Sequence, residues 1–396
     1  MALTVAAVTG NDYERHQHER LSLKLGFSEG WVRSVIALEE GGIVQRTVLD
    51  LLRDRGRGAD VDALATEKGD AFAVAVLLLT GRYLMHSTVV NARPGATRTV
   101  AIEPVTASWI SEGEVVERLD LPHAIDAIER ALAREAAGTA KTMMKTHLAW
   151  GDGHTLHAIG GVDGDLVGSK TWAHTAGGAN PLLILWDTKT GERRAVIEAF
   201  ALGQLRTAAV SGLATRMLAD PRTTIGAVIG TGKQALPQAA ALVSVLPITS
   251  LRVQGRDAER RKVRAAHVEV DLCVEAVVTD SVAEAVDGAG VITTATRATE
   301  PFLAASMVAS GAHVNAIGAI TPERAELYAD LVDRSFVVTD SVEQARALAR
   351  EVDGRELRSL SSLVGSPRPA SDLTLFKAMG IGLADVALGR AILEAT

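Results

Sequence analysis

A glycine-rich turn between a predicted strand and a predicted helix is the clearest chemical feature of the sequence. The segment 230–235 reads GTGKQA and fits the pattern G-x-G-x-x-A, directly after the β-branched apolar run at 224–230. In such a turn the first glycine permits a tight reversal, the second lets backbone N–H groups approach a pyrophosphate, and the small alanine allows close helix–strand packing. A tight turn without a ligand is the alternative. The predicted cofactor-binding residues here are Gly230, Gly232, Lys233, Gln234 and Ala235.

The end of the next predicted strand bears on which dinucleotide such a turn would bind. NAD enzymes usually carry an acidic residue there for the ribose hydroxyls, whereas this chain has Gln254, Gly255 and Arg256. The Arg256 guanidinium suits bidentate binding of a 2′-phosphate and stacking on adenine. We therefore predict NADP(H). NAD(H) stays open as an alternative, because a one-residue shift of the loop would bring the Asp257 carboxylate to the ribose.

The elements around this turn alternate between strand and helix. Strands are predicted at 224–230, 250–255, 274–280, 290–296, 313–318 and 335–340, and helical segments separate them. This alternation indicates a parallel sheet with helices on both faces. The last segment, 371–395, is predicted to be helical and to leave that domain.

The region before the parallel sheet has a different predicted order of helices and strands. Residues 112–138 and 202–219 read as helices, and short β-like segments lie between them. His147, His157 and His174 lie among those segments and could serve as acid/base groups in a cleft. Ordinary histidines whose bonds are satisfied within strands or loops are the alternative.

Composition and charge exclude several function classes. The formal net charge is −7 with no basic block, which argues against a nucleic-acid partner. The single cysteine, Cys273, excludes an internal disulfide and a Cys-rich zinc site. The longest apolar run, at 71–79, is too short to span a membrane, and the N-terminus lacks a secretory signal, so we expect a cytoplasmic protein. Residues 1–108 read as a mainly helical extension without a chemical motif, in which 92–104 is predicted as a turn, a short strand and a linker.

From about residue 109 onward the chain resembles the ornithine cyclodeaminase/mu-crystallin family. The resemblance rests on a series of motifs in order: Gly168-Ser169-Lys170, LRTAAVSGLATRMLA at 205–219, IGTGKQA at 229–235, Thr293 and Thr296 at a strand end, TRATEPFL at 296–303, AHVNAIGA at 312–319 and LTLFKAMGIGLAD at 373–385. It implies an α/β fold in which a doubly wound Rossmann domain, 219–345, is inserted into an α+β substrate-binding and dimerisation domain. That second domain would comprise 109–218 and be completed by 346–396. The active site is then expected in the cleft between the domains.

The resemblance also implies roles for individual residues. Arg206 matches the family's carboxylate-binding arginine, and Lys170 matches the lysine that faces the reacting carbon or imine nitrogen. Lys145 stands where the family has a third cation, an arginine. Because lysine is a point charge rather than a planar fork, the carboxylate geometry should differ, and a simple surface charge is the alternative for Lys145. His174 completes the predicted substrate-binding set. Further cofactor-binding residues are predicted at Arg256, Thr293, Thr296, Asn315 and Ile317.

One departure from the family pattern decides between activities. Cyclodeaminases of the family carry an aspartate two residues after the glycine of the motif that ends at Gly318, and this chain has Ile320. An isoleucine exchanges no protons. We therefore predict an NAD(P)H-dependent reductase that transfers a hydride to the C=N carbon of an α-imino acid or cyclic ketimine. The expected form is a homodimer that takes a small amino- or imino-acid substrate.

Two other functions remain alternatives at this stage. One is an ornithine cyclodeaminase-type lyase with bound NAD. The other is an NADP-dependent small-molecule binding protein without turnover.

Overall fold

The chain divides into two units, Met1–Pro104 and Val105–Thr396. The computed structural model describes residues 1–39, 41–53, 61–91 and 108–395. The turn, strand and linker predicted for 92–104 lie outside the described residues. Within the described ranges no helix combines the length and the apolar character that crossing a membrane would require.

The first unit is helical, as the sequence predicts. Asn11 caps the helix Asp12–Lys24 by accepting a hydrogen bond from the Glu14 N–H at 3.1 Å, and Ser28 caps the helix Glu29–Ile36 in the same way through the Trp31 N–H. Its helices are α1 Ala2–Thr9, α2 Asp12–Lys24, α3 Glu29–Ile36, α4 Ile43–Arg53, α5 Val61–Lys68 and α6 Asp70–Asn91. Helices α1, α4, α5 and α6 pack around a small apolar cluster of Val5, Val48, Leu64, Ala73 and Val76, and α1 and α3 share a second cluster of Leu3, Val32 and Val35.

The second unit begins with a mostly antiparallel sheet of eight strands. The strands are β1 Ser108–Ile110, β2 Ala140–Thr142, β3 Thr146–Trp150, β4 His154–Asp163, β5 Leu166–Thr175, β6 Gly178–Ala179, β7 Leu182–Asp187 and β8 Arg193–Glu198. Their order is β1-β8-β7-β5-β4-β2, with β3 paired to β4 and β6 to β5. Only β1 and β8 pair in parallel.

Three helices accompany this sheet: α7 Glu112–Arg118, α8 Leu121–Ala136 and α9 Phe200–Leu218. Ser111 and Glu114 form a capping box at the start of α7. Asp120 caps α8 through the His123 N–H, and a proline follows in the first turn. Because the apolar residues of α8 recur at helical spacing, Ile125, Ile128 and Leu132 are all buried against the sheet domain.

The remaining elements build the predicted parallel sheet, which also has eight strands. These are β9 Ile225–Ile229, β10 Ser250–Gln254, β11 Glu275–Val278, β12 Val291–Thr294, β13 His313–Ala316, β14 Ser335–Thr339, β15 Arg358–Ser359 and β16 Leu373–Lys377. The order is β11-β10-β9-β12-β13-β16-β14-β15, and every pair is parallel. The order reverses at β9, as in doubly wound Rossmann folds, so the predicted fold class is confirmed.

Helices and short 3₁₀ turns connect these strands. The helices are α10 Ala235–Val245, α11 Ala258–Leu272, α12 Val282–Val286, α13 Ala329–Arg334, α14 Val342–Leu348 and α15 Gly382–Glu394. The 3₁₀ turns are Ala305–Met307, Arg350–Val352 and Leu360–Leu363.

The prediction of a helix throughout 371–395 is wrong. Leu373–Lys377 is β16, a fully buried strand between β13 and β14, and the helix begins only at Gly382. A short apolar run that is buried on both faces of a parallel sheet carries no alternation to distinguish it from a buried helix. After residue 345 the chain therefore returns to the parallel sheet with β15 and β16, while α15 packs on β4, β5 and α8, and the 3₁₀ turn Leu360–Leu363 also packs on α8.

Candidate active site

Lys170 is a buried lysine at the centre of the antiparallel sheet. It lies on β5 opposite Ile159 of β4, is only 4% exposed, and donates a hydrogen bond to Asp385. Burial lowers the pKa of Lys170 to about 8. The Asp385 carboxylate opposes this effect, and the positive charge of Arg206 adds to it. Lys170 therefore carries a proton at neutral pH that it can give up more easily than an ordinary lysine can.

Asp385 is a functional candidate that our sequence reasoning missed. It lies in the first turn of α15, and its side chain is fully buried. One carboxylate oxygen accepts from Lys170 and lies 3.5 Å from Arg206 Nε, while the other has no hydrogen-bond partner among the described residues. A lone acid in the otherwise apolar segment GLADVAL was the available signal, because a buried carboxylate needs a cationic or hydrogen-bonding partner.

Arg206 projects from α9 towards the loop that joins β16 to α15. Gly380 in that loop has φ +83°, and a Cβ there would lie 2.8 Å from Nη1 of Arg206. The Asp340 carboxylate holds the loop by accepting the N–H groups of Met379 and Gly380, each at 2.8 Å. Burial raises the pKa of Asp340. Glycine at this position thus lets the guanidinium of Arg206 lie against the end of a parallel strand, where ligands of such sheets bind.

The ammonium groups of Lys145 and Lys170 both lie close to the ring of Trp172. The Nζ atoms of Lys145 and Lys170 lie 5.7 and 5.6 Å from the centre of the Trp172 ring, within cation–π range. Burial lowers the pKa of Lys145, and the charges of Arg206 and Arg324 lower it further. The structure therefore brings three predicted residues, Lys145, Lys170 and Arg206, into one electrostatic cluster.

The histidines of the sheet lie at the outer side of Trp172. His157 stacks on the tryptophan with ring centres 4.9 Å apart, and its Nε2 is 2.8 Å from Thr155 Oγ1. Burial, with a contribution from Lys145, lowers the pKa of His157 to about 4, so it is neutral at pH 7. His174 is exposed near the end of β5, opposite Thr155. Among the described residues no three histidine, cysteine or acidic side chains gather as a metal site would require.

The glycine turn has the geometry of a phosphate-binding loop. Gly230 has φ +123°, and a Cβ there would lie 2.6 Å from the carbonyl oxygen of Ala295. A Cβ at Gly232 would meet nothing within 4 Å. Lys233 is exposed 5.3 Å from the Phe200 ring, Gln234 precedes α10 with a buried Oε1 that has no partner in the described chain, and Ala235 is buried. Open space beside the backbone N–H groups of the turn fits the pyrophosphate of a dinucleotide.

The end of β10 carries the predicted phosphate-selecting arginine. Arg256 is exposed and forms no hydrogen bond or ion pair in the described structure. The carboxylate of Asp257 caps α11 by accepting the Arg260 N–H at 2.9 Å, so it is already engaged. Arg264 reaches from α11 to the Gly232 carbonyl at 3.5 Å, and its Nε atom is buried without a partner in the described chain. Arg264 is a second residue that the sequence analysis did not single out.

Two of the predicted cofactor residues are buried within the sheet. The Asn315 amide donates to Thr215 at 2.8 Å and to Thr293 at 3.5 Å, and His313 lies 3.1 Å from the Asn315 oxygen. Burial lowers the pKa of His313 to about 4. Thr293 and Asn315 are fully buried, and their side chains bond to each other and to Thr215. Their assignment as cofactor-binding residues stays a prediction.

The other two predicted cofactor residues lie at strand ends. Thr296 donates to Glu326 at 2.7 Å through both its N–H and its hydroxyl group. Glu326 also accepts from Thr294 and from the Gly318 N–H, at 2.8 and 2.9 Å. Ile317 is buried. Glu326 therefore ties the ends of β12 and β13 together beside the glycine turn.

Comparison with known proteins matches this architecture. The profile described as the ornithine cyclodeaminase/mu-crystallin family matches residues 108–396. The ketimine reductase mu-crystallin of Rattus norvegicus is 32% identical over 217 residues, which cover 54% of this chain and 68% of the relative.

Two solved structures resemble the second unit. A Δ1-pyrroline-2-carboxylate reductase of Thermococcus litoralis, in complex with NADH and L-proline, aligns with TM-score 0.68 and 23% identity over 72% of this chain and 96% of its own. An archaeal alanine dehydrogenase dimer with bound NAD aligns with TM-score 0.67 and 26% identity over 72% of this chain and 95% of its own.

Proposed function

This chain belongs to the ornithine cyclodeaminase/mu-crystallin family, and from that membership we propose that it is an NAD(P)H-dependent reductase of an α-imino acid or cyclic ketimine. The observation that carries the proposal is the buried pair of Lys170 and Asp385 with Arg206 beside it. The three side chains combine a proton donor, a group that keeps the donor charged, and a carboxylate-binding cation.

Each side chain has a separate role in this reaction. Arg206 binds the substrate carboxylate through its planar guanidinium, and Lys145 adds positive charge to the same group. Lys170 donates a proton to the nitrogen of the C=N group, directly or through water, and Asp385 maintains its ammonium form despite burial. The backbone of the glycine turn would hold a dinucleotide, and that cofactor would supply the hydride for the C=N carbon.

We propose NADP(H) rather than NAD(H) as the cofactor of this reaction. Arg256 is free of protein partners in the described chain, and Asp257 is engaged in capping α11. The backbone N–H groups of the turn and the side-chain NH2 group of Gln234 would hold the pyrophosphate, while Arg256 would hold a 2′-phosphate.

The lyase alternative lacks the acid that the family uses. Ile320 is half-buried, and the nearby Glu323 is fully exposed. Ring closure needs successive proton transfers at the reacting carbon, whereas reduction needs only one proton besides the hydride. The reductase is therefore the activity that these residues support better.

The proposal extends to assembly and compartment. Residues 109–218 with α15 would bind substrate and form a homodimer, and residues 219–345 with β16 would bind the dinucleotide. The partners would be small amino or imino acids, and the protein would act in the cytoplasm.

Steady-state oxidation of NADPH tests the activity directly. The purified chain should oxidise NADPH with Δ1-pyrroline-2-carboxylate or with pyruvate plus methylamine. Incubation with ornithine and NAD should release neither ammonia nor proline. Proline formation at catalytic rates would replace the reductase with the lyase. Cofactor binding without turnover of any imine would leave the binding-protein function.

A further inference from the structure

Asp340 is a buried carboxylate at the carboxyl edge of the parallel sheet. It directly follows β14 and is only 3% exposed. Its two oxygens accept the consecutive N–H groups of Met379 and Gly380 in the β16–α15 loop, each at 2.8 Å. A buried carboxylate is costly unless it is hydrogen-bonded, and these two bonds meet that requirement. They also fix two successive backbone groups of one loop.

A second buried side chain fixes the carbonyl of Gly380. Gln344 lies in the first turn of α14, is fully buried, and donates a hydrogen bond from Nε2 to the Gly380 carbonyl at 3.2 Å. Asp340 and Gln344 thus bond to both polar groups of the Gly380 backbone. Because glycine is the residue with the widest choice of backbone conformations, these two side chains determine the orientation of the loop at this point.

The guanidinium of Arg206 packs against this fixed backbone. A Cβ on Gly380 would lie 2.8 Å from Nη1, 3.2 Å from Nη2 and 3.4 Å from Cζ of Arg206. The Nε atom of Arg206 is buried without a hydrogen-bond partner among the described residues, and its ion-pair contact with Asp385 is long, at 3.5 Å. Packing against Gly380 therefore contributes more to the position of the guanidinium than hydrogen bonding does.

Asp340 is also a second source of negative charge near Arg206. The carboxylate of Asp385 accepts the hydrogen bond of Lys170, so Arg206 has to share it. Burial raises the pKa of Asp340, and the two loop N–H groups and the positive charge of Arg206 oppose this effect. The charges of Asp340 and Arg206 therefore favour each other at this buried strand end.

Resting on the proposed role of Arg206 in carboxylate binding, we propose that Asp340 is a positioning residue that orients the Arg206 guanidinium towards the substrate carboxylate. It acts through Gly380, whose N–H it holds and against which the guanidinium packs. Gln344 supports the same peptide through its carbonyl. Asp340 thus influences substrate binding through Arg206 and takes no part in hydride or proton transfer.

Asp340→Asn tests this role in steady-state kinetics. Asparagine keeps the size of the side chain but removes the charge, and its NH2 group cannot accept an N–H, so one loop bond is lost. We expect KM for Δ1-pyrroline-2-carboxylate to rise about fivefold, with kcat and the KM for NADPH changed less than about twofold. Glu343→Gln makes the same exchange of acid for amide at an exposed position of α14 and should change none of these values.

A double-mutant cycle with Arg206→Gln separates positioning from a general effect on the fold. If Asp340 acts through Arg206, then Asp340→Asn should change KM less than about twofold once the guanidinium is gone. Gln344→Met keeps the length of its side chain and removes the bond to the Gly380 carbonyl. It should raise KM about twofold in the parent and leave KM unchanged in Arg206→Gln, and it provides the same test if Asp340→Asn does not fold.

The outcomes distinguish this inference from the proposed reductase. An unchanged KM in Asp340→Asn, or an equal rise of KM with and without Arg206, would overturn the positioning role and leave the reductase intact. A loss confined to kcat would likewise overturn it, because a residue that acts through a carboxylate-binding group affects binding. Turnover of no imine by the parent protein would overturn the reductase and this inference with it.

Discussion

Lys170 and Asp385 form a buried ion pair between β5 and α15, although 215 residues separate them in the chain. The lysine belongs to the antiparallel sheet, and the aspartate opens the helix that follows the last strand of the parallel sheet. The pair therefore joins the two sheet systems at the point where Arg206 meets the β16–α15 loop. The pair that we propose for proton transfer therefore also connects the two sheets.

Imine reduction should lose rate as Lys170 loses its proton. Its pKa of about 8 means that kcat should be constant below pH 7 and fall about tenfold per pH unit well above 8. Asp385→Asn should move this inflection to lower pH, because the carboxylate is what raises the lysine pKa against burial. The measurement is kcat between pH 6 and 10, with exposed Lys189→Ala as the control. An unchanged inflection in the Asp385→Asn enzyme would contradict the assignment.

Removing the acid altogether should destabilise the fold. Asp385→Ala leaves a buried ammonium without its partner, which typically costs about 3–5 kcal/mol of unfolding free energy. Glu394→Ala removes an exposed carboxylate from the same helix and should change that free energy by less than about 0.5 kcal/mol. Urea denaturation followed by tryptophan fluorescence measures both. Equal stability of the two variants would mean that the pair contributes nothing to folding.

Arg206 should act on binding more than on chemistry. Arg206→Gln keeps polar character but removes the charge and the planar fork, so we expect KM to rise about 10- to 100-fold with a smaller change in kcat. Lys170→Gln should show the reverse pattern, with kcat as the main loss. Michaelis kinetics with pyrroline-2-carboxylate separate the two. A pure kcat effect at Arg206 would place it in proton transfer instead.

Cofactor preference should depend on Arg256. Arg256→Ala should weaken NADP(H) binding by about 1–3 kcal/mol, the scale of a charge-assisted contact, and leave NAD(H) binding nearly unchanged. Fluorescence titration of both reduced cofactors measures this, and Arg222→Ala at the far end of the sheet is the matched control. Equal affinities for both cofactors in the parent protein would refute the preference for NADP(H).

The second unit should fold without the first. Residues 105–396 contain their own apolar clusters, and separate small clusters hold the helices of residues 1–91. Residues 105–396 expressed alone should give a soluble protein. Its far-UV circular dichroism spectrum should show the β-sheet signal of the full chain, and its NADPH affinity should be unchanged. Insolubility, or a change from dimer to monomer, would instead make residues 1–104 part of the core or of the interface.

Local sequence patterns were sufficient to predict much of the secondary structure of this protein. The strand–turn–helix around Gly230 and the alternation that follows it determine a parallel sheet, because hydrophobic period and turn chemistry act over a few residues. The ordered motifs from Lys170 to Asp385 indicate the family, and the hydrophobic pattern of the first unit predicted its helical character. The resemblance to the family, rather than local pattern, named Lys145, Lys170 and Arg206 as site residues, and their roles stay a prediction.

Only the tertiary structure decided how distant segments combine. The apolar run LTLFK reads equally as helix or strand, and its place between β13 and β14 makes it a strand through backbone bonds to both neighbours. The contacts of Asp385 with Lys170 and with Arg206 depend on where separate elements end in space. The side chains of Thr293 and Asn315 are buried because helices cover both faces of the sheet at its central strands. Contacts of this kind arise from packing between elements, and no local spacing encodes them.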